Sequence, residues 1–235
     1  MAAEGAYPAP GAEGAAMPAP MPAPAMSGGA PASAAGGPMP KSDVAPKLTF
    51  PEAEADALRA AYAEADVILE YGSGGSTELA ARMPGKTVFS VENNAGWLRG
   101  MKRWFEAHPP EAALTLHYAE TGNCGDWGFP RNARRFRIWP LYATSVWDLP
   151  GFVHPDVVLI DGRFRAACFL TTLFRISRPV TVLWDDYAGR DSYHEIEQFC
   201  PPTGTIGRMA VFNAEPTPIP AEKLGLILTT YLRPE

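Results

Sequence analysis

A chain of 235 residues with net charge −6, 46% hydrophobic and 20% charged residues has the composition of one globular domain, with room for a tail. The acidic balance and the lack of a dense Lys/Arg run argue against a nucleic-acid partner; Arg131, Arg134, Arg135 and Arg137 read as a solvated face. No apolar run approaches the ~18 residues that span a bilayer, so no membrane partner is expected.

Residues 1–46 hold ten of the 25 prolines and five of the eight methionines, with Tyr7 as the only aromatic. Such a segment buries too little apolar surface to offset its ordering entropy, and it is expected to be a disordered tail, removable without loss of fold. It has no Lys or Arg before Lys41, which is unlike a signal or transit peptide. Cys124, Cys168 and Cys200 show neither a disulfide framework nor CxxC metal spacing, and reduced thiols fit a cytoplasmic location.

The domain is expected over 47–235. Pro51, with Glu52, Glu54 and Asp56 behind it, suits a helix start, and Leu58, Ala61 and Tyr62 continue at helical spacing. Val67–Tyr71 reads as a buried strand, Gly72–Gly75 as a tight loop, and Ser76 or Thr77 as the start of a helix ending near Pro84-Gly85. A second strand covers Thr87–Glu92. The next helix carries Trp97, Leu98, Met101, Trp104 and Phe105 on one face and stops at Pro109-Pro110. Leu114–Tyr118, Val157–Asp161 and Val180–Trp184 are further strands, with a helix from about Phe164 to Ile176 and a short one over 192–199. Two last strands are expected near Ile206–Phe212 and Leu226–Tyr231. The βα alternation implies an α/β, Rossmann-like, doubly wound and mainly parallel seven-stranded sheet with an antiparallel final strand pair. Residues 119–156 are too long for an ordinary connection and carry Trp127, Trp139, Tyr142 and Trp147, which suggests a working insert, with Asp126-Trp127-Gly128 on the substrate side.

Ligands of such sheets lie beyond the carboxyl ends of the strands, near the switch point. Glu70-Tyr71-Gly72-Ser73-Gly74-Gly75-Ser76 supplies a sharp turn there. A dinucleotide fingerprint would want glycine at position 77, which is Thr77. Glu92 ends the second strand, where a carboxylate can accept both hydroxyls of a ribose; the bland alternative is a helix cap. Glu120 follows the third strand, within reach of an adenine amino group or simply in solvent.

These residues resemble class I S-adenosylmethionine-dependent methyltransferases: Glu70, Gly72 and Gly74 match the acid and Gly-x-Gly of the first strand's end, with Ser76 where a third glycine often stands, and Glu92 matches the second-strand acid. The stretches EYGSGGST, HPDVVLIDGRFR and RPVTVLWDDY are similar to a small group of bacterial methyltransferase-like proteins. The resemblance implies S-adenosyl-L-methionine as cofactor, with Glu70, Gly72, Ser73, Gly74, Ser76, Glu92 and Glu120 around it, and a small molecule methylated on oxygen.

The chemistry is expected beyond the fourth and fifth strands, at Asp161, Arg163, Asp185 and Asp186. Three converging carboxylates need a counter-charge. Similarity to metal-dependent O-methyltransferases implies Asp161, Asp185 and Asp186 as ligands of a divalent metal such as Mg²⁺. Arg163, with Arg165 nearby, offers alternatives: it replaces the metal, or it holds an anionic substrate. His154 and His194 are weaker candidates for a base. The rival readings are an NAD-dependent oxidoreductase, disfavoured by Thr77 and by the lack of a Tyr-x-x-x-Lys pair, and a non-catalytic protein that kept the cofactor pocket.

Overall fold

The computed structural model describes residues 44–235, so the expected tail lies outside the described residues except for Val44, Ala45 and Pro46. Helix α1 spans Glu52–Glu64 and begins behind Pro51, as its acidic first turn predicts. Strand β1, Val67–Tyr71, is buried at every position, which suits a central parallel strand with both faces covered. It feeds the glycine loop and α2, Gly75–Ala81, then β2, Thr87–Glu92. Asn94 caps α3, Ala95–Ala107, by accepting from the Gly96 and Trp97 amides, and α3 buries Leu98, Met101, Trp104 and Phe105. Strands β3, Ala113–Tyr118, β4, Val157–Ile160, and β5, Val180–Trp184, flank α4, Leu141–Thr144, and α5, Arg165–Arg175. The chain closes with β6, Gly204–Ile206, β7, Met209–Ala214, and α6, Leu224–Thr230.

Among the described residues these strands form one seven-stranded sheet of order β3-β2-β1-β4-β5-β7-β6. The five strands from β3 to β5 are parallel; β7 runs antiparallel to both β5 and β6. The strand order reverses between β1 and β4, which makes their carboxyl ends the switch point. Apolar layers cover both faces. Leu58 and Tyr62 of α1 pack with Ile68, Val88 and Leu159; Phe169 and Leu173 of α5 pack with Val158, Trp184 and Phe212. Each fully buried aliphatic or Phe side chain contributes roughly 1.5–3 kcal/mol.

One expected element differs. Residues 226–231 fall mostly in α6 rather than in a strand. Ile227 and Thr230 are buried three apart while Leu228 is 60% exposed, a helical spacing that a short apolar run hides. The strand expected at 206–212 is instead a hairpin: Gly207, at φ 55°, turns β6 into β7, and this pair closes the sheet.

The long insert is folded down onto the end of β1. Trp139, Tyr142 and Trp147 are buried. The Tyr71 hydroxyl donates to the Ala143 carbonyl at 2.6 Å and accepts from Trp147 Nε1 at 2.7 Å. Trp139 Nε1 donates to the Thr121 carbonyl at 2.9 Å. Among the described residues no helix is long and apolar enough to cross a membrane.

Candidate functional site

A cavity of about 580 Å³ opens beyond the carboxyl ends of β1, β2 and β4, within the size range of small-molecule sites. One wall is the glycine loop, Gly72 to Ser76. Gly72 has φ +106°, a region that favours glycine, and a Cβ there would lie 2.8 Å from the Gly162 amide nitrogen. Gly162 returns the constraint: its Cβ would lie 2.9 Å from the Gly72 nitrogen and would collide with the Tyr142 hydroxyl. The two loops therefore touch backbone to backbone. Gly162→Ala is expected to cost about 1–3 kcal/mol through overpacking. Thermal melts of Gly162→Ala alone and with Tyr142→Phe check this; the double variant should recover part of the loss, because it removes the hydroxyl that the new methyl meets.

Beneath the loop, Glu70 is fully buried and accepts from the Tyr62 hydroxyl and Thr77 Oγ1, both at 2.6 Å. Burial raises its pKa, while these two donors pull it down. Thr77 Oγ1 also accepts from the Gly74 amide at 2.9 Å. Trp97 Nε1 reaches across from α3 and donates to the Ser73 carbonyl at 2.7 Å. Glu70 thus holds the loop from behind and does not line the cavity, contrary to the role expected of it. Thr77, the departure from a dinucleotide fingerprint, is the residue that connects Glu70 to the loop.

Glu92 does line the cavity, at the end of β2. Its Oε1 accepts from the Asn94 amide at 2.6 Å. Burial pushes its pKa up to about 7, against the pull of backbone amides and of Arg163. The neighbouring Asn93 donates to Thr121 Oγ1 and to the Gly128 carbonyl, at 2.7 and 2.8 Å, and so fixes the insert at the cavity rim. Trp127 and Gly128 line the rim, as expected for the insert. Glu120 does not join them: it is exposed and pairs with Arg135 at 3.1 Å.

Asp161 and Arg163, past β4, line the cavity; Asp185 and Asp186, past β5, do not. The acids are held by arginines instead. Arg208, in the β6–β7 turn, grips Asp185 with both carboxylate oxygens engaged, at 2.8 and 2.9 Å, and reaches Asp186 at 3.0 Å. Arg190 holds Asp186 at 3.2 Å, and Arg165 holds Asp161 at 3.2 Å and lies 3.6 Å from Asp186. Burial raises the pKa of Asp161; Arg165 lowers it, and Asp185 and Asp186 raise it further. Asp161, Asp185 and Asp186 therefore do not fit the expected metal site, because their oxygens already face guanidinium groups. Among the described residues no cluster of three or more His, Cys, Asp or Glu is placed to hold a metal. The ion pairs to these acids come from Arg165, Arg190 and Arg208; Arg163 forms none of them, though its charge helps to lower the pKa of Asp161. His154 meets the Ser177 amide and His194 meets Glu197, both away from the cavity.

The sequence reading missed a further wall. Val44 to Phe50 line the cavity, and Lys47 and Leu48 lie so close over the glycine loop that a Cβ on Gly75 would strike their backbone. The domain boundary drawn at residue 47 thus cuts through the cavity wall. Asn93, Trp97 and Tyr142 were also missed as site residues; the Asn94 cap, which sets α3 against the loop, was the available signal.

No protein-family model matches the chain, and no curated protein does. Among solved structures, a methyltransferase-like protein from Silicibacter pomeroyi is 50% identical, with TM-score 0.78, over 81% of this chain and 99% of its own. More distant are a methyltransferase from Geobacter sulfurreducens, 10% identical with TM-score 0.46 over 71% and 80% of the two chains, and an O-methyltransferase from Bacillus cereus, 16% identical with TM-score 0.43 over 68% and 64%. The first likeness, at half identity over nearly a whole relative, agrees with the sheet order and the site at its switch point, and the conclusion is that the chain belongs to the methyltransferase-like proteins.

Proposed function

We propose that this protein transfers a methyl group from S-adenosyl-L-methionine to an oxygen of a small molecule. The observation that carries the proposal is Glu92, a buried carboxylate at the end of β2 that faces the cavity walled by the Gly72–Ser76 loop. A carboxylate in that place accepts both hydroxyls of a ribose, and a glycine loop lets a ligand come close to the backbone. The cofactor, when bound, supplies a methyl group on a cationic sulfur.

The protein's own part is positioning and proton removal. With the cofactor bound, the acceptor oxygen would take the methyl carbon as the S–C bonding pair returned to sulfur, and the hydroxyl proton would leave to a base. Asp161 is assigned as that base. It lines the cavity, and its raised pKa improves it as a proton acceptor over an ordinary carboxylate. Arg165 fixes its Oδ1. Asp185 and Asp186 act behind it, keeping Arg165 and Arg208 in place.

Titration calorimetry tests the reading. S-adenosylhomocysteine is expected to bind with micromolar affinity, about −8 kcal/mol. Clear heat with NAD and none with either sulfur nucleoside would overturn the assignment and favour an oxidoreductase.

A further inference from the structure

Arg163 is a largely buried cation that forms no ion pair among the described residues. It is 8% exposed and lines the cavity. Its guanidinium carbon stands 4.8 Å from the centre of the Phe129 ring. Among the described residues its Nε is buried with no hydrogen-bond partner, and the Glu92 and Asp161 carboxylates feel its charge without forming an ion pair with it. The acids nearest in sequence are taken: Asp161 by Arg165, Asp186 by Arg190 and Arg208, Asp185 by Arg208. An arginine does not shed its proton to escape burial. A cation desolvated without a partner is costly, and a ring face offsets only part of that cost.

The proposed cofactor does not balance this charge. Its amino-acid end carries one carboxylate and one ammonium, and its sulfur is cationic, so it brings a net positive charge into the cavity. With cofactor in place, Arg163 and the sulfonium together leave an excess of positive charge in a low-dielectric space. Glu92, set to the ribose, offsets at most one of the two. The balance has to come from the other occupant. The planar fork of arginine matches carboxylate and phosphate oxygens. Trp127, which also lines the cavity, adds flat apolar surface there.

Resting on the methyltransferase reading above, we propose that the methyl acceptor is an anion, a carboxylate- or phosphate-bearing small molecule whose oxyanion pairs with Arg163. The residue then acts as a specificity determinant, fixing the acceptor by its charged end while the hydroxyl faces Asp161. The pairing removes the unsatisfied donor at Nε and the excess charge together. Transfer of the methyl group leaves the sulfur neutral, which weakens the hold on the anion at the product stage.

The full-length protein is titrated with benzoate, phenyl phosphate and benzyl alcohol, with and without S-adenosylhomocysteine. At least one anion is expected to bind tenfold or more tightly than the neutral alcohol. Arg163→Gln should erase that preference and leave the ratio of S-adenosylhomocysteine to 5′-methylthioadenosine affinity within about twofold, since both nucleosides bring the same ribose to Glu92. Arg163→Lys, which keeps the charge and loses the fork, should retain a smaller preference; its melting curve guards against a folding defect in the glutamine variant. Equal binding of all three probes by the wild type overturns the proposal. So does a tenfold loss of S-adenosylhomocysteine affinity in Arg163→Gln with 5′-methylthioadenosine unaffected, because the arginine would then serve the cofactor's own carboxylate. Failure of the cofactor reading shows separately, as no binding of either nucleoside to the wild type, and the anion comparison is then read from the cofactor-free titrations.

Discussion

Arg208→Met is expected to lower the melting temperature by on the order of 10 °C. Asp185 is 2% exposed, and both of its oxygens are held by Arg208. Removing one partner of a buried pair leaves the other charge uncompensated, which costs about 3–5 kcal/mol. For a domain of this size each kcal/mol moves the midpoint by roughly 2–4 °C. The loss spreads to Asp186, which Arg208 also meets, and to the β6–β7 turn that carries the arginine. Arg208→Lys should fall between the two, since it keeps the charge and loses the fork. Circular dichroism melts with and without Mg²⁺ complete the test. Recovery of the wild-type midpoint by Mg²⁺ in Arg208→Met would mean that the three acids accept a metal, and would undo the arginine reading. A midpoint unchanged from wild type in Arg208→Met would mean that the pair contributes nothing.

The second large effect belongs to Glu92. Glu92→Gln is expected to weaken S-adenosylhomocysteine binding by about 1–3 kcal/mol, because the ribose hydroxyls lose a charged acceptor. The folded-state pKa near 7 adds a pH dependence. Ribose binding uses the carboxylate, so wild-type affinity should fall as pH drops below about 7 and level off above it. The glutamine variant should show no such slope. Stability moves the other way. The pKa is raised on folding from 4.5, so the folded chain holds a proton that the unfolded chain releases between these values. The fold therefore loses stability as pH rises from about 4.5 to about 7 and stays at the lower level above that. Glu92→Gln removes this penalty, by up to about 3 kcal/mol at pH 8. A variant that binds worse and melts higher at pH 8 fits this account. Pairing of weaker binding with an unchanged pH slope would not, since another group would then be titrating.

The sheet was legible because its strands are short apolar runs bounded by glycine, proline and acids; Val67–Tyr71 and Val157–Ile160 could hardly be anything else. Glu92 and the glycine loop were legible because a strand end and a turn fix where they lie along the chain. The acid cluster was legible only by half. Asp161, Asp185 and Asp186 stand at strand ends that the βα order brings together, but their counter-charge comes from Arg208, on a turn between strands that the sequence pattern merged into one. That error and the misplaced last strand have one source: the period of a short apolar segment does not separate strand, hairpin and helix. Glu70 misled differently. Its position in the motif is right for a ligand contact, yet Tyr62, eight residues earlier on α1, had already engaged its carboxylate. Nothing in local spacing reports a partner on the preceding helix. The Val44–Phe50 wall escaped because the Pro- and Ala-rich texture before it carries no periodicity.

The Tyr71 hydroxyl bears on how this protein could be taken apart. It ends the first strand, yet both of its hydrogen bonds go to the insert, one to the Ala143 carbonyl and one from Trp147. Cutting residues 119–156 back to a plain crossover would strand that hydroxyl in the apolar interior. The same cut would strip Phe164 of its ring contacts with Trp139 and Tyr142. The insert is therefore no interchangeable cassette. An acceptor specificity could not be moved into this scaffold by swapping that segment alone; the graft would have to bring its own answer to Tyr71.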